Sequence, residues 1–287
     1  MSAEQATGWI ETVATAVLDA RAKTRTPVSL LTAEALAAAP IGSAALGETL
    51  RTRGIDLMSL PLGRRLRVGS AVVLQVTEHS RVARDVTEAE IVWTLARVLK
   101  GGRVVRGDTI ATDPDLDRPR FAVVTLSDRS AAGAHVDESG PLAASLLRDS
   151  LGTEPLTLDI LPDDRALLEQ HLIALADDEL VDLIVTTGGT GLSPRDTTPE
   201  ATLAVIDREV PGIAEAIRIG GLAKTPLAML SRAVCGQRGA TLIVNLSGSP
   251  KAVREQLAIL MPVLGHVLTT ARGLPQSCGP VTPTQPG

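Results

Sequence analysis

The chain has 287 residues, 44% of them hydrophobic and 21% charged, enough for one large or two modest globular domains and too long for a peptide or a disulfide miniprotein. Its aromatic residues are Trp9, Trp93 and Phe121, with no tyrosine, which excludes the stacked aromatic platforms that grip single-stranded nucleic acid. The net charge of −5 is uneven: residues 1–108 hold 14 basic against 11 acidic side chains, whereas residues 121–287 hold 12 against 19, and an acidic second half excludes a nucleic-acid partner.

The opening stretch MSAEQATGWIETVATAVLDA lacks the basic start and compact apolar core of a signal peptide, and its apolar spacing predicts helix through Ala20. From Gly63 the period shortens to strands: Arg65–Val68, Ala71–Val76, and a pair, Arg97–Leu99 and Arg103–Val105. Gly101 and Gly102 between the last two read as a hairpin turn. Residues 1–108 are therefore expected to form a small β-rich domain with helical decoration. TIATDPDLDRPR, residues 109–120, is polar, holds two prolines and alternates charge, as a linker does.

Residues 121–273 alternate strand and helix. Strands are expected at Phe121–Leu126, Leu156–Leu161, Val181–Thr187 and Ala240–Leu246. Helices are expected at Pro141–Leu151, Asp164–Ala176, Pro199–Asp207, Ile213–Ile219 and Pro250–Arg272. The fold class is thus α/β, a three-layer parallel sheet with helices on both faces, preceded by the smaller β-rich domain. Residues 274–287, with four prolines, read as a disordered tail. Cys278 in that tail has no basic neighbour to activate it, and with Cys235 it makes no framework or zinc spacing, so a reducing cytoplasm is expected. No window approaches the ~18 apolar residues of a membrane span, and no membrane partner is expected.

The richest locus is VDLIVTTGGTGLSPRDTTPE, residues 181–200. An apolar strand runs into Thr187, Gly188, Gly189, Thr190 and Gly191, and glycines there let backbone amides approach an anion at the carboxyl end of a parallel strand. Thr197 and Glu200 have capping-box spacing for the helix that follows. Asp196 beside such a cradle would repel phosphate unless a cation, Mg2+ by preference, sits between them; the other reading is a cap on a local amide. Arg195 is either a phosphate clamp or a solvated charge. Further polar residues stand at the other strand ends: Ser127 and Asp128, Ser139 and Gly140, Asp163 and Asp164, Ser247, Gly248, Pro250 and Lys251. Helix capping is a second role open to each.

These segments, TLSDR at 125–129, DESGP at 137–141, LPDD at 161–164, TTGGTGLSPRDTTPEA at 186–201, MLSRAVCG at 229–236 and LIVNLSGSPKAV at 242–253, resemble the MogA/MoaB-like molybdenum-cofactor biosynthesis family, the molybdopterin adenylyltransferases. The resemblance runs collinearly over residues 120–273. It implies a soluble, usually trimeric enzyme that transfers AMP from Mg-ATP to molybdopterin and releases pyrophosphate, with the molybdenum insertase as a candidate partner. On that resemblance Asp163 and Asp196 are the catalytic and metal-holding acids, Thr187 to Gly191 the phosphate loop, and Ser231 a further substrate contact. Ser247 stands where the family's loop usually has proline, which is expected to loosen it. None of the four histidines falls in these loops. A module that holds molybdopterin or the finished cofactor without turnover is the alternative.

Residues 46–69, with VVLQVTEHSR and ARVLKGGRVVRGD, resemble a MOSC domain, a β-rich fold tied to molybdenum-cofactor sulfur chemistry. The reactive cysteine that this resemblance implies after VTE is missing from EHSRVARDV, so a degenerate docking or cofactor-binding domain is expected. Arg64, Arg65 and Arg67 offer a basic stripe to a pterin phosphate, or form a solvated strand face.

Overall fold

The computed structural model describes residues 6–13, 17–18, 28–33, 49–82 and 91–274, which fall into two units, residues 1–118 and 119–287. In the first, alternation of inward and outward side chains sets the architecture. Strands β1 (Thr7–Val13), β3 (Val28–Thr32), β4 (Thr49–Arg53), β5 (Arg65–Val68), β6 (Val72–Val82), β7 (Ile91–Lys100) and β9 (Thr109–Thr112) close a seven-stranded barrel in the order β1-β4-β3-β7-β6-β5-β9. Ile10, Leu30, Leu50, Leu66, Leu74 and Ile110 are fully or almost fully buried within it. Each such side chain contributes about 1.5–3 kcal/mol of apolar burial.

Three expectations for this unit are corrected. Residues 7–13 are strand, not helix: Ile10 points inward between exposed Trp9 and partly exposed Glu11, a period of two, and β1 pairs with β4 and β9. The hairpin through Gly101 and Gly102 does not form. β7 pairs with β3 and β6, while Gly102–Arg103 (β8) pairs with Val17–Leu18 (β2). Thr109–Thr112, expected as linker, completes the barrel between β1 and β5. The short helix α1 (Pro114–Asp117) after it is held by Arg67 Nη2 to Asp113 at 2.7 Å and Arg64 Nη1 to Asp117 at 2.8 Å.

The second unit is a six-stranded sheet in the order β11-β10-β12-β15-β14-β13, with β10 at Phe121–Leu126, β11 at Thr157–Leu161, β12 at Leu183–Thr187, β13 at Arg208–Glu209, β14 at Cys235–Arg238 and β15 at Thr241–Leu246. The first four in that order are parallel; β14 pairs antiparallel with both β15 and β13, so the sheet is mixed rather than wholly parallel. The cause is the two-residue turn Gly239–Ala240 joining β14 to β15, with Gly239 at a φ of 56°.

Helices cover both faces. α3 (Ser139–Leu151), α6 (Pro211–Leu222) and α7 (Pro250–Ala271) pack on Phe121, Val123, Val185 and Val244; α4 (Arg165–Ile173) and α5 (Thr198–Val205) pack on Ala122, Val124, Ile184 and Ile243. Strands β10, β12 and β15 are buried on both sides, which is why they read as continuous apolar runs. At the amino-terminal end of the sheet, Arg272 Nη2 meets Asp182 at 2.7 Å in a pair that is 8% and 1% exposed. Residues 275–287 of the expected tail, Cys278 among them, and residues 83–86 of EHSRVARDV lie outside the described residues.

Candidate functional site

Register brings the predicted residues together. Thr125 lies opposite Thr187, Thr187 opposite Leu246, and Leu126 opposite Leu161, so four parallel strands end level with one another. Their outgoing loops carry Ser127 and Asp128, Asp163, Gly188 to Asp196, and Ser247 to Pro250, at the carboxyl edge where parallel sheets bind ligands.

The glycine loop departs from β12 with Gly188 at a φ of 96° and Gly189 at 63°, left-handed conformations that a branched side chain resists. The carbonyls of four consecutive residues are tied down. Gly188 O accepts from Thr198 Oγ1 at 3.0 Å, Gly189 O from Thr198 N at 3.1 Å, Thr190 O from Arg232 N at 2.9 Å and Gly191 O from Arg232 Nε at 2.7 Å. Among the described residues, the N–H groups of Gly189, Thr190, Gly191 and Leu192 donate to no protein acceptor. Gly189 and Gly191 are partly exposed and Leu192 is exposed, so these donors face solvent, and a run of four beside a strand end has the make-up of an anion nest.

Carboxylates border this nest. A carbon built on Gly189 falls 3.6 Å from Asp163 Oδ1, and one on Gly191 falls 2.9 Å from Asp196 Oδ2. Asp128 and Asp163 bolt the ends of β10 and β11 together by reciprocal bonds, Asp163 N to Asp128 Oδ1 at 3.0 Å and Asp128 N to Asp163 Oδ2 at 3.2 Å. Burial pushes the Asp163 carboxyl above its ordinary value, and the charges of Asp128 and Asp196 add to that. The Arg195 guanidinium, on Asp128 at 2.6 and 2.7 Å, holds the Asp128 carboxyl below its ordinary range. Arg195 is thus an exposed counter-ion to Asp128.

Among the described residues no group of three or more His, Cys, Asp or Glu is arranged to hold a metal. Asp163 and Asp196 each accept one backbone N–H and keep the other carboxylate oxygen unbonded. Two such carboxylates fit Mg2+ in its common setting, where substrate phosphates and water supply the remaining ligands.

Other predicted residues support the edge. Thr187 Oγ1 donates to Thr125, which donates to Asp137 at 2.7 Å; Asp137 also accepts from Ser139 N and Gly140 N, and Ser139 Oγ donates to Gly248 O at 2.5 Å. Thr187 and Ser139 thus spend their hydroxyls on the scaffold. Ser127 caps the short helix α2 (Asp128–Ala131), and Ser249 caps α7 ahead of Pro250 and exposed Lys251. Ser231 and Lys251 make no hydrogen bond to the nest. Ser247 is not a loosened position: Gln256 accepts from its backbone N and donates to its Oγ, both at 2.9 Å. The capping box also fails, since Thr197 makes no side-chain cap and Glu200 pairs with Arg232, which holds its carboxyl below the ordinary range.

Arg232 is the residue that sequence reasoning missed. It sits inside MLSRAVCG, 36 residues beyond Asp196, whose carbonyl it also binds. His171, outside these loops, bonds Asp159 at 2.9 Å on β11. Cys235 is buried and its thiol is pushed up to about 12 by desolvation, a packing role.

Residues 122–266, half of the chain, match the family model described as probable molybdopterin binding domain. The molybdopterin adenylyltransferase of Escherichia coli K12 is 42% identical over 151 residues, spanning 52% of this chain and 77% of that protein. That of Helicobacter pylori J99 is 40% identical over 155 residues, 53% and 88%. Among solved structures, the molybdopterin biosynthesis enzyme MoaB of Thermus thermophilus superposes with a TM-score of 0.50 at 47% identity, covering 54% of this chain and 98% of that one. With its glycine nest at the carboxyl edge of the sheet, the chain belongs, through its second unit, to the probable molybdopterin binding domain family.

Proposed function

We propose that the second unit works in molybdenum-cofactor biosynthesis as a molybdopterin adenylyltransferase, moving AMP from ATP to the terminal phosphate of molybdopterin. The observation that carries this is the run of four unpaired amides from Gly189 to Leu192, flanked by Asp163 and Asp196. Relatives 40–42% identical over this unit bear that name.

The chemistry asks little proton transfer of the protein. A phosphate monoester has its second pKa near about 6 and is largely ionised at neutral pH, so its oxygen attacks the α-phosphorus of ATP directly. A new O–P bond forms, the α–β bridging bond breaks, and its electrons leave with pyrophosphate. No general base is needed. The amides of Gly189 to Leu192 would hold phosphoryl oxygens in place, which is positioning and charge stabilisation rather than acid–base work. Asp163 and Asp196 would hold Mg2+, which neutralises phosphate charge when bound. Arg195, if released from Asp128, would supply a cation for a leaving phosphate.

For the first unit we read a MOSC-like element that binds or docks and transfers no sulfur. The barrel and the absence of any cysteine before Cys235 support this reading. A cytoplasmic homotrimer serving a molybdenum insertase completes the proposal. No helix of the described residues is long and apolar enough to cross a membrane, and light scattering would test the trimer.

The test of the reaction is direct. Purified protein given molybdopterin and labelled Mg-ATP should release pyrophosphate and form adenylyl-molybdopterin, and Asp196→Asn should bind both substrates yet lose most turnover. Binding without pyrophosphate release by the unaltered chain would replace the enzyme with a carrier.

A further inference from the structure

The unpaired amides of the nest are exposed by something, and the pattern of the paired carbonyls says what. Across a trans peptide, the C=O of one residue and the N–H of the next lie in one plane and point in opposite directions within it. The four carbonyls held by Thr198 and Arg232 belong to Gly188, Gly189, Thr190 and Gly191; the four unpaired N–H groups belong to Gly189, Thr190, Gly191 and Leu192. Each tethered carbonyl is therefore matched by one free donor aimed the other way. The two glycines with positive φ permit either orientation of the planes they flank, so local sequence alone leaves the choice open.

We infer that Arg232 is the positioning residue that sets the peptide planes of the nest, by pulling the Thr190, Gly191 and Asp196 carbonyls to one side so that the Gly191 and Leu192 amides face the anion. This deepens the adenylyltransferase reading and rests on it. Thr198 does the same for Gly188 and Gly189. Arg232 suits the task because its backbone N–H, Nε and Nη2 reach three different carbonyls while Nη1 pairs with Glu200, a fork that an ammonium cannot reproduce. The second oxygen of Glu200 is shielded from solvent and has no hydrogen-bond partner, and Arg232 is the side chain that pairs with its first. Arg232 acts through the backbone it holds and touches no reacting atom.

The probe is inorganic pyrophosphate titrated calorimetrically into the full chain. Arg232→Lys keeps a charge for Glu200 but loses the Gly191 and Asp196 contacts, and should weaken pyrophosphate roughly tenfold to hundredfold while the thermal midpoint falls only slightly. Arg232→Ala should be weaker still and partly rescued by added guanidinium, not by ammonium. Glu200→Gln, which removes the ion pair and spares the carbonyl contacts, should cost severalfold at most. Wild-type affinity in Arg232→Lys, or equal losses in Arg232→Lys and Glu200→Gln, would overturn the inference and leave the functional reading standing. Failure of the unaltered protein to bind pyrophosphate would instead remove the nest reading and this inference together.

Discussion

The barrel and the α/β unit both place arginines beside loops, yet they use them in opposite ways. In the barrel, Arg64 and Arg67 meet the carboxylates of Asp117 and Asp113, and Arg65 donates to Leu116 O, so the basic stripe is spent on fastening the segment that follows β9. In the α/β unit, Arg232 spends two of its guanidinium nitrogens on backbone carbonyls. Pairing with carboxylate cancels a charge and ends there. Pairing with carbonyls leaves the reverse face of the same peptides with donors to spare, and that is the face proposed to take the anion.

The contrast is broken most completely at the nest itself. Gly189→Val adds a branched side chain at a φ of 63° and drives it into Thr198 Oγ1, so nucleotide affinity should fall by at least about a hundredfold, read by titration calorimetry. Arg272→Ala removes the ion pair of the nearly inaccessible Asp182 carboxylate, which keeps the Arg120 N–H, and about 3–5 kcal/mol of stability should be lost in denaturant unfolding of this unit. In the barrel, Arg67→Ala removes a solvent-exposed pair, and less than about 1 kcal/mol should be lost. A larger loss there would mean that the stripe does more than fasten a helix.

The smallest effect concerns Asp163 and depends on pH. Burial raises its carboxyl in the folded protein, so its share of stability is complete below the usual carboxylate range and is lost as pH rises through the raised value. Asp163→Asn should therefore be slightly more stable than the parent at neutral pH and indistinguishable from it in acid, while losing turnover. Equal melting at both would show that the site carries no electrostatic strain.

Much of the second unit is readable without coordinates because its strands are buried on both faces. Phe121–Leu126 is the stretch expected, and the expected helix at Pro141–Leu151 begins two residues earlier because Asp137 caps the amides of Ser139 and Gly140. Strand β14 was hidden by its composition, Cys-Gly-Gln-Arg, which offers no alternation. In the first unit, β1 has apolar residues that also suit a helix, and only pairing with β4 and β9 decides. The acidic pair and the glycine loop announce themselves by residue type. Arg232 does not, since its partners lie 32 to 42 residues away in the chain and are mostly carbonyls, which every residue possesses.

Because the nest is made of main-chain groups, it reports on itself. The amide hydrogens of Gly189 to Leu192, lacking acceptors, should trade with deuterium at rates set by solvent, whereas those of neighbouring β12 wait for the sheet to open. Four contiguous fast-exchanging positions that turn slow when a phosphate compound arrives would mark occupancy residue by residue, with no label and no altered side chain.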